Sequence, residues 1–89
     1  MYFVNEDGKA INIDRADVIY IEKHSERVVE NHKYVVVDGN YVLNTTFIVY
    51  AIVSGTDWYI AEFETREEAE KFIRWLAASS LTIEDFKEV

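Results

Sequence analysis

Residues 46–69 read Thr46-Phe47-Ile48-Val49-Tyr50-Ala51-Ile52-Val53-Ser54-Gly55-Thr56-Asp57-Trp58-Tyr59-Ile60-Ala61-Glu62-Phe63-Glu64-Thr65-Arg66-Glu67-Glu68-Ala69, and one change of period inside this stretch decides the fold. Phe47 to Val53 is an unbroken apolar run, and Trp58 to Phe63 takes up the pattern again after the turn signal Ser54-Gly55-Thr56-Asp57. β-Branched and aromatic residues at this density suit a pleated surface. A Gly at the turn supplies the positive φ that a tight hairpin needs. At Thr65 the period changes. Thr65-Arg66-Glu67-Glu68 is a capping box, in which the threonine hydroxyl accepts from the amide three residues on while the glutamate reaches back. Ala69, Phe72, Ile73 and Leu76 then recur at the spacing of one helix face. The spacing predicts an amphipathic helix over 65–78.

Upstream, Glu6-Asp7-Gly8-Lys9 and Asp38-Gly39-Asn40 are two further turn signals. The chain has three glycines, one in each turn signal, and no proline to break a strand. These signals predict strands over 2–5, 10–14, 17–23, 34–37, 41–53 and 58–63. Residues 24–33 admit a loop, a ragged strand or a single helical turn. Downstream, Thr82-Ile83-Glu84-Asp85, with Leu81 and Phe86 placed as a hydrophobic staple, permits a short second helix over 83–88. No repeat and no low-complexity tract is seen. The expectation is a single α+β domain over 1–89. It is a mainly antiparallel meander sheet of five or six strands followed by the C-terminal helix, the alternative being a partly closed PH-like barrel capped by that helix.

Almost half of the 89 residues are apolar and 15% are aromatic, enough to build a packed core rather than a disordered chain. There is no cysteine, so neither a disulfide nor a thiolate zinc site can staple the fold. The N-terminal residues show no basic and apolar leader pattern. The run from Phe47 to Val53 is far too short to span a bilayer. The sequon at Asn44-Thr45-Thr46 reads as chance. A cytoplasmic location is expected. The net charge is −8; residues 1–56 hold eight acids and five bases, residues 57–89 nine and four. Phosphate backbones and anionic membranes call for a basic face, so direct nucleic-acid and membrane binding are not expected.

Alternation should leave one side of a solvent-backed sheet polar. Here both sides of the central hairpin are apolar. Phe47, Val49, Ala51 and Val53 oppose Ile48, Tyr50 and Ile52, and Tyr59, Ala61 and Phe63 oppose Trp58 and Ile60. One helix covers one side. The set Ile48, Tyr50, Ile52, Trp58 and Ile60 is therefore the candidate interface. A second candidate is the acidic set Glu62, Glu64, Glu67, Glu68 and Glu70, where the last strand feeds the helix. Acids there complement the helix dipole, which accounts for them without a function; the functional alternative is a negative face that docks on a basic partner.

Catalytic and metal sites find little support. Glu22, His24, Glu30 and His32 follow no ligand spacing, and Ser25 next to His24 points to the opposite side of a strand. Ser54, Ser79 and Ser80 have no histidine nearby, and there is no Gly-rich phosphate loop. No cofactor, no metal and no enzymatic activity are expected.

The segments Ala16-Asp17-Val18-Ile19-Tyr20-Ile21-Glu22 and Asp38-Gly39-Asn40-Tyr41-Val42-Leu43 resemble the opening strands of LytTR-type DNA-binding domains. The basic DNA-contacting segment of that family has no counterpart in this chain, so DNA binding is not implied. Gly8-Lys9-Ala10-Ile11-Asn12-Ile13-Asp14 and Ala61-Glu62-Phe63-Glu64-Thr65-Arg66-Glu67-Glu68-Ala69-Glu70 resemble segments of small uncharacterised proteins of Gram-positive bacteria and their phages. That resemblance implies a sheet-plus-helix domain and no particular activity. The leading expectation is a non-enzymatic protein-binding or self-assembly module, a homodimer acting through an apolar sheet face. The alternatives are an acidic mobile-element inhibitor of a nucleic-acid-binding protein and a small-ligand-binding protein.

Overall fold

A computed structural model describes residues 1–78. The second helix expected over 83–88, with Leu81 and Phe86, lies outside the described residues. The chain opens with a hairpin of β1 (Tyr2–Val4) and β2 (Ala10–Asn12), followed by a 3-10 turn at Ile13–Arg15. Two long strands follow, β3 (Ala16–Arg27) and β8 (Leu43–Val53), separated by four two-residue strands. These are β4 (Val29–Glu30), β5 (Lys33–Tyr34), β6 (Val36–Val37) and β7 (Asn40–Tyr41). β9 (Thr56–Phe63) and helix α1 (Arg66–Ala78) complete the fold.

The architecture is α+β and antiparallel, as expected, but the sheet is not a five- or six-stranded meander. Among the described residues it has three strands in the order β3-β8-β9, with no further strand on either edge, and three two-stranded ribbons beside it. The alternative, a partly closed barrel, is not seen among the described residues, where β3 and β9 each pair with β8 and not with each other. The partner of β8 is also different. The expected middle hairpin joined 34–37 to 41–53; instead β3 pairs with β8 from Ala16↔Val53 to Arg27↔Leu43. Residues 24–27 extend β3, and 28–42 form a separate head at its end.

The helix begins where the capping box places it. The Glu68 amide donates to Thr65 Oγ1 at 3.2 Å, and the Thr65 hydroxyl donates to Glu68 Oε1 at 3.1 Å. Thr65→Ala should cost about 1 kcal/mol in chemical denaturation. Ala69, Phe72 and Leu76 are fully buried against Phe3, Val49, Ala51, Ile60, Ala61 and Phe63. The core therefore lies between α1 and one side of the sheet. Asn5 holds the first hairpin against it. Its Oδ1 accepts from the Asp7 and Lys9 amides at 3.0 and 2.9 Å, and its Nδ2 donates to the Tyr59 carbonyl at 2.9 Å. Asn5 is only 5% exposed, and these bonds satisfy its buried side-chain amide.

One bulge redistributes the side chains of β9. The pairing runs Val49↔Ala61 and then Tyr50↔Tyr59, leaving Ile60 as the extra residue. A bulge aims two successive side chains to the same side, and Ile60 and Ala61 are both fully buried. Alternation reverses there: Trp58, opposite Ala51, lies on the core side, and Tyr59, opposite Tyr50, lies on the outer side.

Candidate functional site

The bulge corrects the candidate interface. Ile60 is core, and Trp58 packs against the core from its edge. Ile48, Tyr50 and Ile52 do share the side of the sheet away from α1. The register extends them into a three-by-three array. Its rows are Val18, Ile52 and Asp57; Tyr20, Tyr50 and Tyr59; and Glu22, Ile48 and Glu62. Tyr59 and the β3 members were missed, the first because a bulge between two apolar residues leaves no mark in an alternation pattern. Tyr20 and Tyr50 stack with ring centroids 5.5 Å apart. The two isoleucines and three tyrosines are half-buried, and Val18 is 49% exposed.

Acids surround this tyrosine row. Asp57, Glu22 and Glu62 occupy three corners of the array, and Glu6 and Asp7 bear on Tyr59 from the first hairpin. Burial, then the charges of Glu6, Glu62 and Asp7, push the Tyr59 phenol up to about 12 from its ordinary 10.0. Burial, then Asp57 and Glu22, raise that of Tyr20. Both phenols thus remain neutral hydrogen-bond donors. The raised Tyr59 pKa contributes stability that is whole below pH 10.0 and lost as pH rises toward about 12. Phenolate absorbance should show a late-ionising tyrosine that disappears in Tyr59→Phe; Glu62→Gln should leave most of the elevation, because burial is its main cause.

The acidic set is not brought together. Glu62 lies on the tyrosine side of the sheet, whereas Glu67, Glu68 and Glu70 are on α1, across the sheet from it. Glu68 is engaged by Thr65, and Glu64 lies between strand and helix. Of the histidines, His24 Nε2 lies 2.8 Å from Glu26 Oε1. This bond, ahead of nearby carboxylates, raises the His24 pKa against a smaller lowering by burial. His32 sits in the β4–β5 turn with φ 62°. Among the described residues, no three His, Asp or Glu side chains are placed to hold a metal ion, and no helix is long and apolar enough to cross a membrane.

The head at 28–42 is a three-way strand junction. The long ribbon β3–β8 and the short ribbons β4–β5 and β6–β7 meet at Val28, Val35 and Val42. The Val35 amide donates to the Val28 carbonyl, Val42 to Val35, and Val28 to Val42, each at 2.9 Å. The three valines thus close a ring of hydrogen bonds. Their spacing of seven exposes a repeat, Val28-Val29-Glu30-Asn31-His32-Lys33-Tyr34 followed by Val35-Val36-Val37-Asp38-Gly39-Asn40-Tyr41. The expectation of no repeat is corrected here. Paired residues of an antiparallel ribbon project to the same side. The pairs Arg27↔Leu43, Val29↔Tyr34 and Val36↔Tyr41 therefore stand around one face of the junction. Arg27 lies 4.0 Å from the Tyr41 ring centroid and 5.3 Å from that of Tyr34, and the two rings meet edge to face at 5.7 Å. Comparison with protein-family models, with curated proteins and with solved structures finds nothing that matches the chain.

Proposed function

We propose that the protein is a non-enzymatic protein-binding module that docks a basic partner on the side of its three-stranded sheet away from α1. One observation carries this reading: a row of three tyrosines, flanked by Val18, Ile48 and Ile52, lies on the side away from α1 with carboxylates at its corners. An apolar and aromatic centre with a charged rim has the anatomy of a protein interface. The rim selects the partner. Lysine and arginine side chains gain from Glu22, Asp57 and Glu62, and a cation over a tyrosine face adds about 0.5–1 kcal/mol. A second copy of this chain would set acids against acids, so this side suits a different protein. The chain's acidity also keeps free nucleic acid away, so any link to nucleic acid runs through such a partner.

Co-purification from the source cells, with the partner identified and then re-tested as a purified protein, examines this directly. Tyr50→Asp should abolish binding. Glu22→Gln with Glu62→Gln should slow association and reduce its dependence on salt. Binding that ignores both sets of substitutions would reject the sheet side as the site.

A further inference from the structure

The face of the three-way junction has a different character from the tyrosine array and stands independently of it. Residues 27–43 hold two acids, Glu30 and Asp38, and two bases, Arg27 and Lys33. The head is therefore formally neutral, and the whole charge of −8 lies elsewhere in the chain. On the face itself, Arg27 is the one charged residue among six. The other five, Val29, Tyr34, Val36, Tyr41 and Leu43, are each 48–56% exposed. Such side chains do not collapse into the core, because the head extends beyond the helix-covered part of the sheet. Together they form a largely apolar exposed patch, the kind of surface that marks an interaction site.

We propose that this face is a homodimer interface, occupied by the same face of a second copy. Two strongly acidic chains repel wherever their carboxylates are brought together. The neutral head offers a surface on which two copies meet without opposed acids. A specific interface needs about 1,000 Å² of buried surface in all, so the pairing has to use the whole exposed face of the head on both copies. A two-fold pairing is self-complementary and closed, so a dimer forms rather than a filament. This assigns self-association to the head and leaves the tyrosine array of each copy free.

The test is sedimentation equilibrium of the full chain at micromolar to submillimolar concentration. The wild type should dimerise, and added salt should strengthen the dimer by screening the net charge. Val36→Glu, at an exposed position, should weaken it by roughly 30-fold or more with an unchanged circular dichroism spectrum, and with a melting curve that matches the wild type's at concentrations where both are monomeric. Tyr50→Asp on the sheet should leave the dimer intact, which separates failure of this proposal from failure of the sheet reading. Because the chain has no cysteine, Val36→Cys gives a second readout. It should form a disulfide-linked dimer on mild oxidation, whereas Ser54→Cys at the opposite end of β8 should not. A monomer throughout the range, a dimer indifferent to Val36→Glu, or head-dependent binding to anionic vesicles without self-association would overturn the proposal.

Discussion

Phe72→Ala should lower the free energy of unfolding by about 3–5 kcal/mol, the largest single loss expected from α1. The ring is fully buried, and among the described residues its centroid lies 5.6 Å from that of Phe3, 5.2 Å from Phe63 and 5.6 Å from Trp75. Phe3 belongs to the first hairpin and Phe63 to the end of β9, so one side chain joins three parts of the core. Truncation loses the transfer energy of the ring and leaves a cavity that surrounding aromatics cannot close without moving. In a domain this small, the loss approaches the whole margin of stability. Thermal unfolding should fall by more than about 12 °C. Phe72→Leu, which restores much of the volume, should cost about 1–2 kcal/mol. A cost for Phe72→Ala below that of Thr65→Ala would mean that this face of α1 is not the buried one.

Val35→Pro should open the head and spare the rest. Val35 is the middle donor of the three-valine ring, and proline has no N–H to give the Val28 carbonyl. The expected cost is about 2–4 kcal/mol, from the lost bond, the unpaired carbonyl and the ring's own steric demand. It should fall on one cooperative unit. Amide exchange across 28–42 should become fast, while β3, β8 and β9 keep their protection nearer the core. Val35→Thr, similar in shape and with its amide intact, should leave exchange in the head close to wild type. Unchanged protection in Val35→Pro would show that the hydrogen-bonded ring does not hold the junction together.

The elements legible in the sequence were those set by local chemistry. The helix was marked by its cap at Thr65 and by Ala69, Phe72, Ile73 and Leu76 at one spacing; the structure buries three of the four fully and Ile73 in part. Turns with glycine were equally visible: Asp38 and Gly39, and Ser54 and Gly55, all have positive φ. The β4–β5 turn uses Asn31 and His32 at φ 50° and 62°, and without a glycine it gave no signal. Side-chain placement on β9 depended on where a ladder slips by one residue, and Ile60-Ala61 reads the same with or without a bulge. For that reason three of the five candidate interface residues share the sheet side away from α1, while Trp58 and Ile60 turn to the core. The head was hidden for another reason. Tyr34-Val35-Val36-Val37 looks like one continuous strand, and it is divided in two where the Val35 amide donates to Val28 and the Val35 carbonyl accepts from Val42.

That division alters how the long ribbon can assemble. Zipping β3 onto β8 would ordinarily mean closing a loop of 15 residues, 28–42, before the first pair, Arg27↔Leu43, is gained. The two arms inside that loop need no such search, since each closes through a two-residue turn on the scale of about 1–10 μs. Once both have formed, the path from Arg27 to Leu43 no longer runs along 15 residues of free chain but across a few hydrogen bonds. The entropy of loop closure is then met in small local steps rather than in one long one. A folding route that closes the two arms first would let the distant strands Ala16–Arg27 and Leu43–Val53 meet almost as neighbours in sequence.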